Sequence, residues 1–354
     1  MGLQELGWSP FFAAAFERRA ESGFLPARVA LQRISGKYLL YCEEGEVRGE
    51  ITGRLQYMAR GPQDLPAVGD WVTVRIVPPD RRAVIVDILP RRTKFSRRAA
   101  GKRAEEQVVA ANIDIVFIVQ ALDSTLNLRR LERYLVVASD SGARPVVLLN
   151  KSDLCGDLSE AEAAVDRVAA GVPVHVLSAR QGLGVDALNG YLAAGVTGAM
   201  LGSSGVGKST IINRLLGADY LPTQEVRDVD AKGRHTTARR ELVLLPRRGL
   251  LIDTPGMREL HLLGGAGGLE AAFEDVEALG RGCRFRDCRH EAEPGCAVRE
   301  ALQDGRLAPE RFASYRKLLR ETAFLERSGS KTAQILHKER WKKLTARHKR
   351  GYKK

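Results

Sequence analysis

Cysteine is scarce in this chain. There are five among 354 residues, with Cys42 and Cys155 isolated and Cys283, Cys288 and Cys296 close together. An odd, uneven count of this kind does not make the disulfide framework of a small secreted domain. No apolar run approaches the roughly 18 residues that a membrane-spanning helix requires. The opening Met1-Gly2-Leu3-Gln4-Glu5-Leu6 lacks the basic stretch of a secretory leader, and Leu6 stands where a myristoylation signal needs Ser or Thr. Acids are in deficit, 43 Asp and Glu against 56 Lys and Arg, for a net charge of +13. The expectation is a soluble, cytoplasmic protein without a membrane role. With 44% hydrophobic residues it can form a sizeable core, and its length suits two or three domains.

Residues 27–89 carry a period of two. Val47, Ile51 and Leu55 alternate with Arg48, Glu50, Thr52 and Arg54, and Val72, Val74 and Ile76 alternate with Trp71, Thr73 and Arg75. Strands are predicted near 27–34, 37–42, 46–55, 70–77 and 83–89, split by Gly, Pro and Asp. Five half-buried strands in this span fit an N-terminal all-β barrel of the OB type, which often binds nucleic acid. Spacing alone fits an SH3-like barrel nearly as well, and a packing module without a ligand also stays open. A basic run follows: Arg91, Arg92, Lys94, Arg97, Arg98, Lys102 and Arg103. Such a run resists core burial and reads as a solvated linker, or as a stretch that tracks phosphates. From about Val108 apolar runs alternate with helical stretches. Ile113–Val119 is the first run; the next three end directly on Asn150, on Ser178-Ala179 and on Gly202. Motifs at the carboxyl ends of buried strands indicate a central doubly wound α/β domain. Beyond it, 269–279 and 309–325 read as helices of a mostly α C-terminal domain.

Gly202-Ser203-Ser204-Gly205-Val206-Gly207-Lys208-Ser209 has the form G-x-x-x-x-G-K-[ST], followed by Thr210 in a helical stretch. Its glycines let backbone N–H groups wrap phosphates, and the helix N-terminus favours an anion. Lys208 is expected to reach the β- and γ-phosphates and Ser209 to hold Mg²⁺. Asp253-Thr254-Pro255-Gly256 reads D-x-x-G: Asp253 would reach Mg²⁺ through water, and Gly256 would offer its N–H to the γ-phosphate. Gly233-Arg234-His235-Thr236-Thr237 occupies the place of switch I, and either Thr236 or Thr237 completes the Mg²⁺ shell, with Thr236 preferred. Asn150-Lys151-Ser152-Asp153 reads N-K-x-D. The Asp153 carboxylate can accept from guanine's N1–H and N2 amine, a pair adenine lacks; leaving it unsatisfied costs roughly 1–3 kcal/mol. Ser178-Ala179 fits a short loop meeting guanine O6 by backbone. The base motif precedes the phosphate loop, the reverse of the usual order, so switch II leads out into the C-terminal segment, which is expected to move with the nucleotide state. Ras-type GTPases place a Gln after D-x-x-G to orient water; here Met257 stands there. Slow intrinsic turnover, stimulated by a partner, is expected. His235 is the internal candidate for handling the water proton, or serves only the loop, and Arg234 and Arg258 are further candidates for charge stabilisation.

Cys283-x4-Cys288-x-His290-x5-Cys296 supplies three thiolates and one imidazole, a filled tetrahedral set for structural Zn²⁺. Zinc affinity on the order of 10–16 kcal/mol could fold so short and charged a segment. After it, residues 331–354 hold ten Lys and Arg against the single acid Glu339. That tail is either solvated or an arm for RNA phosphates.

Taken together, the barrel, the linker with Ser96-Arg97-Arg98, N-K-S-D, G-S-S-G-V-G-K-S, G-R-H-T-T, D-T-P-G and the cysteine cluster resemble the circularly permuted GTPases of the RsgA/YjeQ family, over about residues 25–325. The resemblance implies an OB-fold, a permuted G-domain and a zinc domain, with His235 and the zinc ligands Cys283, Cys288, His290 and Cys296 matching the family's. It implies GTP hydrolysis to GDP, stimulated by the small (30S) ribosomal subunit late in its maturation, with rRNA contacts by barrel and zinc domain. The implied division is 1–24 extension, 25–90 barrel, 91–107 linker, 108–265 GTPase domain, 266–327 zinc domain and 328–354 tail, acting as a monomer. An assembly scaffold with nucleotide as a structural switch, and a signalling GTPase at a membrane surface, are the alternatives from other classes.

Overall fold

The computed structural model describes residues 1–18, 23–33, 36–78, 82–98, 106–123, 125–169, 171–218, 240–246, 248–253 and 266–329. The described residues up to Asp253 belong to one compact unit and those from Ala266 onward to a second.

The first unit opens with α1 (Pro10–Glu17), where Pro10 takes the first helical turn. Five strands follow: β1 (Leu25–Gln32), β2 (Lys37–Cys42), β3 (Gly45–Ile51), β4 (Trp71–Val77) and β5 (Arg82–Ile88). They pair in the order β1-β2-β3-β5-β4, and β4 returns to β1, which closes a barrel. Only β3 and β5 run parallel among these pairs. Ala27, Val29, Leu40, Val47, Val72, Val74 and Ile85 fill the interior. The third strand stops short of Leu55. Thr52 ends it by accepting the Leu55 N–H on its hydroxyl at 3.1 Å, the cap of helix α2 (Gly53–Met58). In β4 the predicted alternation fails as well. Trp71 is fully buried, because Trp8 packs edge-on against it and Phe12 at a tilt, at 4.6 and 5.9 Å between ring centroids.

The described part of the basic run, Arg91–Arg98, is more than a solvated connector, while Lys102 and Arg103 lie outside the described residues. Arg91 forms a two-pronged pair with the fully buried Asp70 at 2.8 and 2.7 Å, and β6 (Lys94–Arg98) pairs antiparallel with β7 (Glu106–Ala111). Lys94 meets Glu106 at 2.6 Å. The counter-charges lie near in space though distant along the chain, so Phe95 and Ser96 are buried with the ribbon.

The α/β part comprises β8 (Ile115–Ala121), α3 (Leu128–Ser141), β9 (Arg144–Asn150), α4 (Leu158–Asp166), β10 (Val174–Val176), β11 (Thr197–Leu201), α5 (Lys208–Leu216), β12 (Glu241–Leu244) and β13 (Leu250–Asp253). The strand order is β10-β9-β8-β11-β13-β12, parallel except for β12. The chain winds from β8 outward to β10, then returns to the other side of β8. The order therefore reverses between β8 and β11, where open α/β sheets bind ligands. Edge strand β12 pairs with β1 at Leu31 and Glu241, so barrel and α/β sheet are continuous.

Arg28 is fully buried where these parts meet. Its guanidinium donates to the carbonyls of Leu6, Gly69 (3.2 Å) and Asn112 (3.0 Å) and lies 5.7 Å from the Trp71 ring. Burial lowers its pKa to about 10, and Asp114 and Asp70 oppose the shift, so it stays charged at neutral pH.

The second unit comprises α6 (Ala266–Ala272), α7 (Glu274–Arg281), α8 (Ala297–Gln303) and α9 (Pro309–Gly329), and Phe273 is fully buried against Tyr315 of α9. Arg311 lies 4.1 Å from the Phe273 ring and pairs with Asp275 at 2.9 Å. Tyr315 donates to Glu277 at 2.7 Å.

Lysine cannot reproduce the three-way fork of Arg28. Arg28→Lys is expected to destabilise the first unit by about 2–4 kcal/mol in urea unfolding, because buried carbonyls lose their donors. An unchanged midpoint would contradict this junction's role.

Candidate functional site

The parallel strands β8, β9, β10, β11 and β13 all present their carboxyl ends to one edge. Asn150 ends β9, Ser178-Ala179 follows β10, the Gly202–Ser209 loop follows β11, and Asp253 ends β13. The structure thus brings together stretches lying far apart along the chain.

Asn150 is the hub. Its side-chain amide donates to the Val206 carbonyl at 2.7 Å, and its side-chain oxygen accepts the Ala179 N–H at 2.9 Å. One buried carboxamide therefore joins the phosphate loop to the loop after β10. The approach is close enough to exclude any side chain at Gly207, whose φ is +98° and whose added Cβ would lie 2.1 Å from the Asn150 amide nitrogen. Lys208, at the start of α5, folds over the loop and donates to the Gly202 and Ser203 carbonyls at 2.9 and 2.7 Å. Ser209 and Thr210 follow in the first helical turn, half-buried, and Ser204 and Gly205 are exposed at the loop's tip.

On the base-reading side, Ser178 donates from its hydroxyl to the Asp153 carboxylate at 2.5 Å, and Ser152 donates its backbone N–H to the Leu177 carbonyl at 3.2 Å. Lys151 adopts φ 65° and pairs with Asp123 at 2.8 Å. Desolvation works against ionisation of Asp123, but the Lys151 bond and two bonds from Thr125 outweigh it and hold its pKa down to about 2. Asp123 is a member of the site that motif reading missed. Its only signal was an acid just past the end of an apolar strand. Arg214 of α5 is a second: it donates to the Ala179 and Arg180 carbonyls at 3.0 and 2.6 Å. Gly256, His235, Thr236 and Thr237 lie outside the described residues, as do Arg234, Met257, Arg258 and the tail from residue 330. Of the expected magnesium ligands, Ser209 and Asp253 are described, each at the carboxyl edge of the sheet.

The second unit carries the cysteine cluster. The Sγ atoms of Cys283, Cys288 and Cys296 and a ring nitrogen of His290 all lie within 4.8 Å of one another. His290 Nδ1 is 3.4 Å from Cys296 and 3.6 Å from Cys283, and the two sulfurs are 3.9 Å apart. Bonds of about 2.3 Å to a tetrahedral zinc would set neighbouring sulfurs about 3.8 Å apart, so the donor set fits Zn²⁺ in type and spacing. Burial lowers the His290 pKa, which favours the neutral ring a metal needs. Desolvation opposes ionisation of Cys283, but backbone N–H groups of Val298 and Ala297 at the start of α8 lower its thiol.

A phosphate loop, a guanine-type N-K-x-D motif and their shared edge, in reversed chain order, define a circularly permuted P-loop GTPase domain. The RsgA GTPase family model matches residues 88–263. A protein of Opitutus terrae named small ribosomal subunit biogenesis GTPase RsgA is 50% identical over 97% of this chain and 96% of its own. One of the same name from Syntrophotalea carbinolica is 41% identical over 99% and 98%. The chain belongs to the RsgA family of GTPases. Among solved structures it is similar to YjeQ from Thermotoga maritima, with a TM-score of 0.61, 25% identity and coverage of 85% of this chain and 99% of that one. YloQ, described as a circularly permuted GTPase, shares the fold at a TM-score of 0.59, with 22% identity over 84% and 95% of the two chains.

The zinc fit has a direct check. The purified chain is expected to carry about one equivalent of zinc. Cys283→Ser should lose it and make residues 266–329 protease-sensitive while GDP affinity stays as in the parent. A zinc-free chain with an intact, resistant second unit would contradict it.

Proposed function

We propose that this protein hydrolyses GTP to GDP and phosphate on the small (30S) ribosomal subunit during the last steps of that subunit's maturation, and that the subunit stimulates the reaction. The observation that carries this reading is the Asn150 bridge, which joins the Gly202–Ser209 loop to the turn after β10. The names of the relatives at 50% and 41% identity over nearly the whole chain supply the ribosomal context.

In this reading Asp153 accepts from guanine's N1–H and N2 amine, and the backbone of the turn that begins with Ser178-Ala179 meets O6. Lys151 and Ser152 complete the base side. The N–H groups of Gly202–Ser209 cradle the phosphates, with Lys208 as their cation and Thr210 beside them. Mg²⁺ would be held by Ser209, Thr236 and Asp253, and would neutralise charge on the phosphate oxygens. Gly256 would meet the γ-phosphate. Because Met257 replaces the usual glutamine, His235 orients the attacking water or takes its proton, once subunit binding has set switch I.

The closed order β1-β2-β3-β5-β4 with a parallel β3–β5 pair supports an OB-type barrel rather than an SH3-like one. That barrel and a zinc-bound second unit are the rRNA-contacting parts, with the basic tail adding phosphate contacts. Zn²⁺ would be held by Cys283, Cys288, His290 and Cys296 and would supply folding energy only. The protein works in the cytoplasm as a monomer. No helix among the described residues is long and apolar enough to cross a membrane.

Phosphate release, measured with and without purified small subunits, tests the reading. Subunits are expected to raise turnover by at least about tenfold. His235→Ala should bind GTP as the parent does and lose most of that stimulation. Absence of any stimulation would favour a scaffold instead, and a fully stimulated His235→Ala would remove the histidine from the mechanism.

A further inference from the structure

Base recognition in this site turns on one short loop, and an arginine outside every motif holds it. Ala179 is buried, and its N–H is already taken by the Asn150 side chain at 2.9 Å. The turn is closed on its far side by a reciprocal pair in which Ser178 N donates to Leu183 O at 3.0 Å and Leu183 N donates to Ser178 O at 3.1 Å. Its first two inner carbonyls are those of Ala179 and Arg180. Arg214 takes both, through Nε at 3.0 Å and Nη2 at 2.6 Å.

A trans peptide is planar, with its C=O and the next residue's N–H pointing in opposite directions. Fixing the Ala179 carbonyl toward Arg214 therefore aims the Arg180 N–H the other way. Fixing the Arg180 carbonyl likewise aims the Gln181 N–H, which does find the Ser178 hydroxyl, at 3.3 Å. The Ala179 N–H serves Asn150; of the two N–H groups that the Arg214 fork orients, that of Gln181 serves Ser178 and that of Arg180 is left for a ligand. Arg214 sits in the last turn of α5, the helix that begins with Lys208, so the same helix that opens at the phosphates closes on the base loop. A guanidinium suits this task because its planar fork can engage two carbonyls at once, which an ammonium cannot do in fixed geometry.

We propose that Arg214 is a positioning residue for guanine selectivity: it aims the Arg180 peptide N–H at O6 of the base. This rests on the reading that the turn beginning with Ser178-Ala179 meets guanine O6. Guanine and hypoxanthine both carry O6 as an acceptor, whereas adenine carries an amine there. Asp153, by contrast, reads the N2 amine that hypoxanthine lacks. The two residues therefore act on different atoms of the base, and nucleotide analogues separate them.

The test is equilibrium binding of GDP, IDP and ADP to the full chain, to Arg214→Ala, to Arg214→Lys and to Asp153→Asn, with melting temperatures recorded for each. Arg214→Ala is expected to weaken GDP and IDP by the same factor, about tenfold, the equivalent of one hydrogen bond. ADP should be unaffected, so the preference for GDP over ADP falls while the GDP-to-IDP ratio holds. Arg214→Lys should fall between, since it keeps the charge but not the fork. Asp153→Asn should change the GDP-to-IDP ratio instead. An Arg214→Ala that leaves the GDP-to-ADP preference intact, whether by no effect or by equal loss for all three nucleotides, overturns the proposal and leaves Arg214 a structural brace. A parent chain that itself binds GDP and ADP equally would overturn the underlying guanine reading, and the proposal with it.

Discussion

The carboxamide of Asn150 uses both of its ends, and the rest of the nucleotide site hangs on that. A carboxylate could accept but not donate, and an ammonium could donate but not accept. The amide does both, at 2.7 Å to Val206 and 2.9 Å to Ala179, across separations of 56 and 29 residues. Burial makes the bridge decisive, because a lost partner would leave a desolvated polar group on each side. It also accounts for Gly207, where any side chain would displace the amide. A contact of this kind depends on position in space and not on chain order. The phosphate loop can therefore follow the base motif without loss of the crevice between β8 and β11.

The molecule uses charged residues as braces both at that crevice and away from it. Asp123 holds Lys151, Arg214 holds the turn after β10, and Arg28 and Arg91 fasten the barrel to its neighbours. Arg28 is buried and Arg91 is half-buried against the buried Asp70, and their charges are met by several carbonyls or by a carboxylate, which offsets desolvation. The barrel consequently does not hang from a connector. Strand β12 pairs with β1, and part of the run that composition marked as a connector forms the ribbon of β6 and β7. Because β12 is hydrogen-bonded to β1, the barrel adjoins the sheet that carries the phosphate loop.

The chemistry of the phosphate loop was legible because it needs fixed residue types at fixed spacing. Gly207-Lys208-Ser209 and Asn150-Lys151-Ser152-Asp153 each announce themselves within eight residues or fewer. The same holds for Cys283, Cys288, His290 and Cys296, whose ligand atoms the fold gathers as the spacing suggested. The five strands were legible from alternation, yet their ends were not: Thr52 reads as a strand residue until its hydroxyl caps a helix. What the sequence hid has one cause. Asp123 meets its partner 28 residues away, Arg214 35 residues away and Arg28 84 residues away. A lone charged residue carries no local signal of such a partner, and Trp71 carried none of the Trp8 and Phe12 that bury it.

The claim that three remote stretches make one guanine pocket can be put to a single measurement, hydrogen exchange with mass spectrometry on the intact protein with GDP, with ADP and without nucleotide. GDP should slow exchange together in 150–153, 178–181 and 202–210, and ADP at the same concentration should leave all three as in the free chain. Protection by GDP confined to 202–210, or equal protection by both nucleotides, would contradict it.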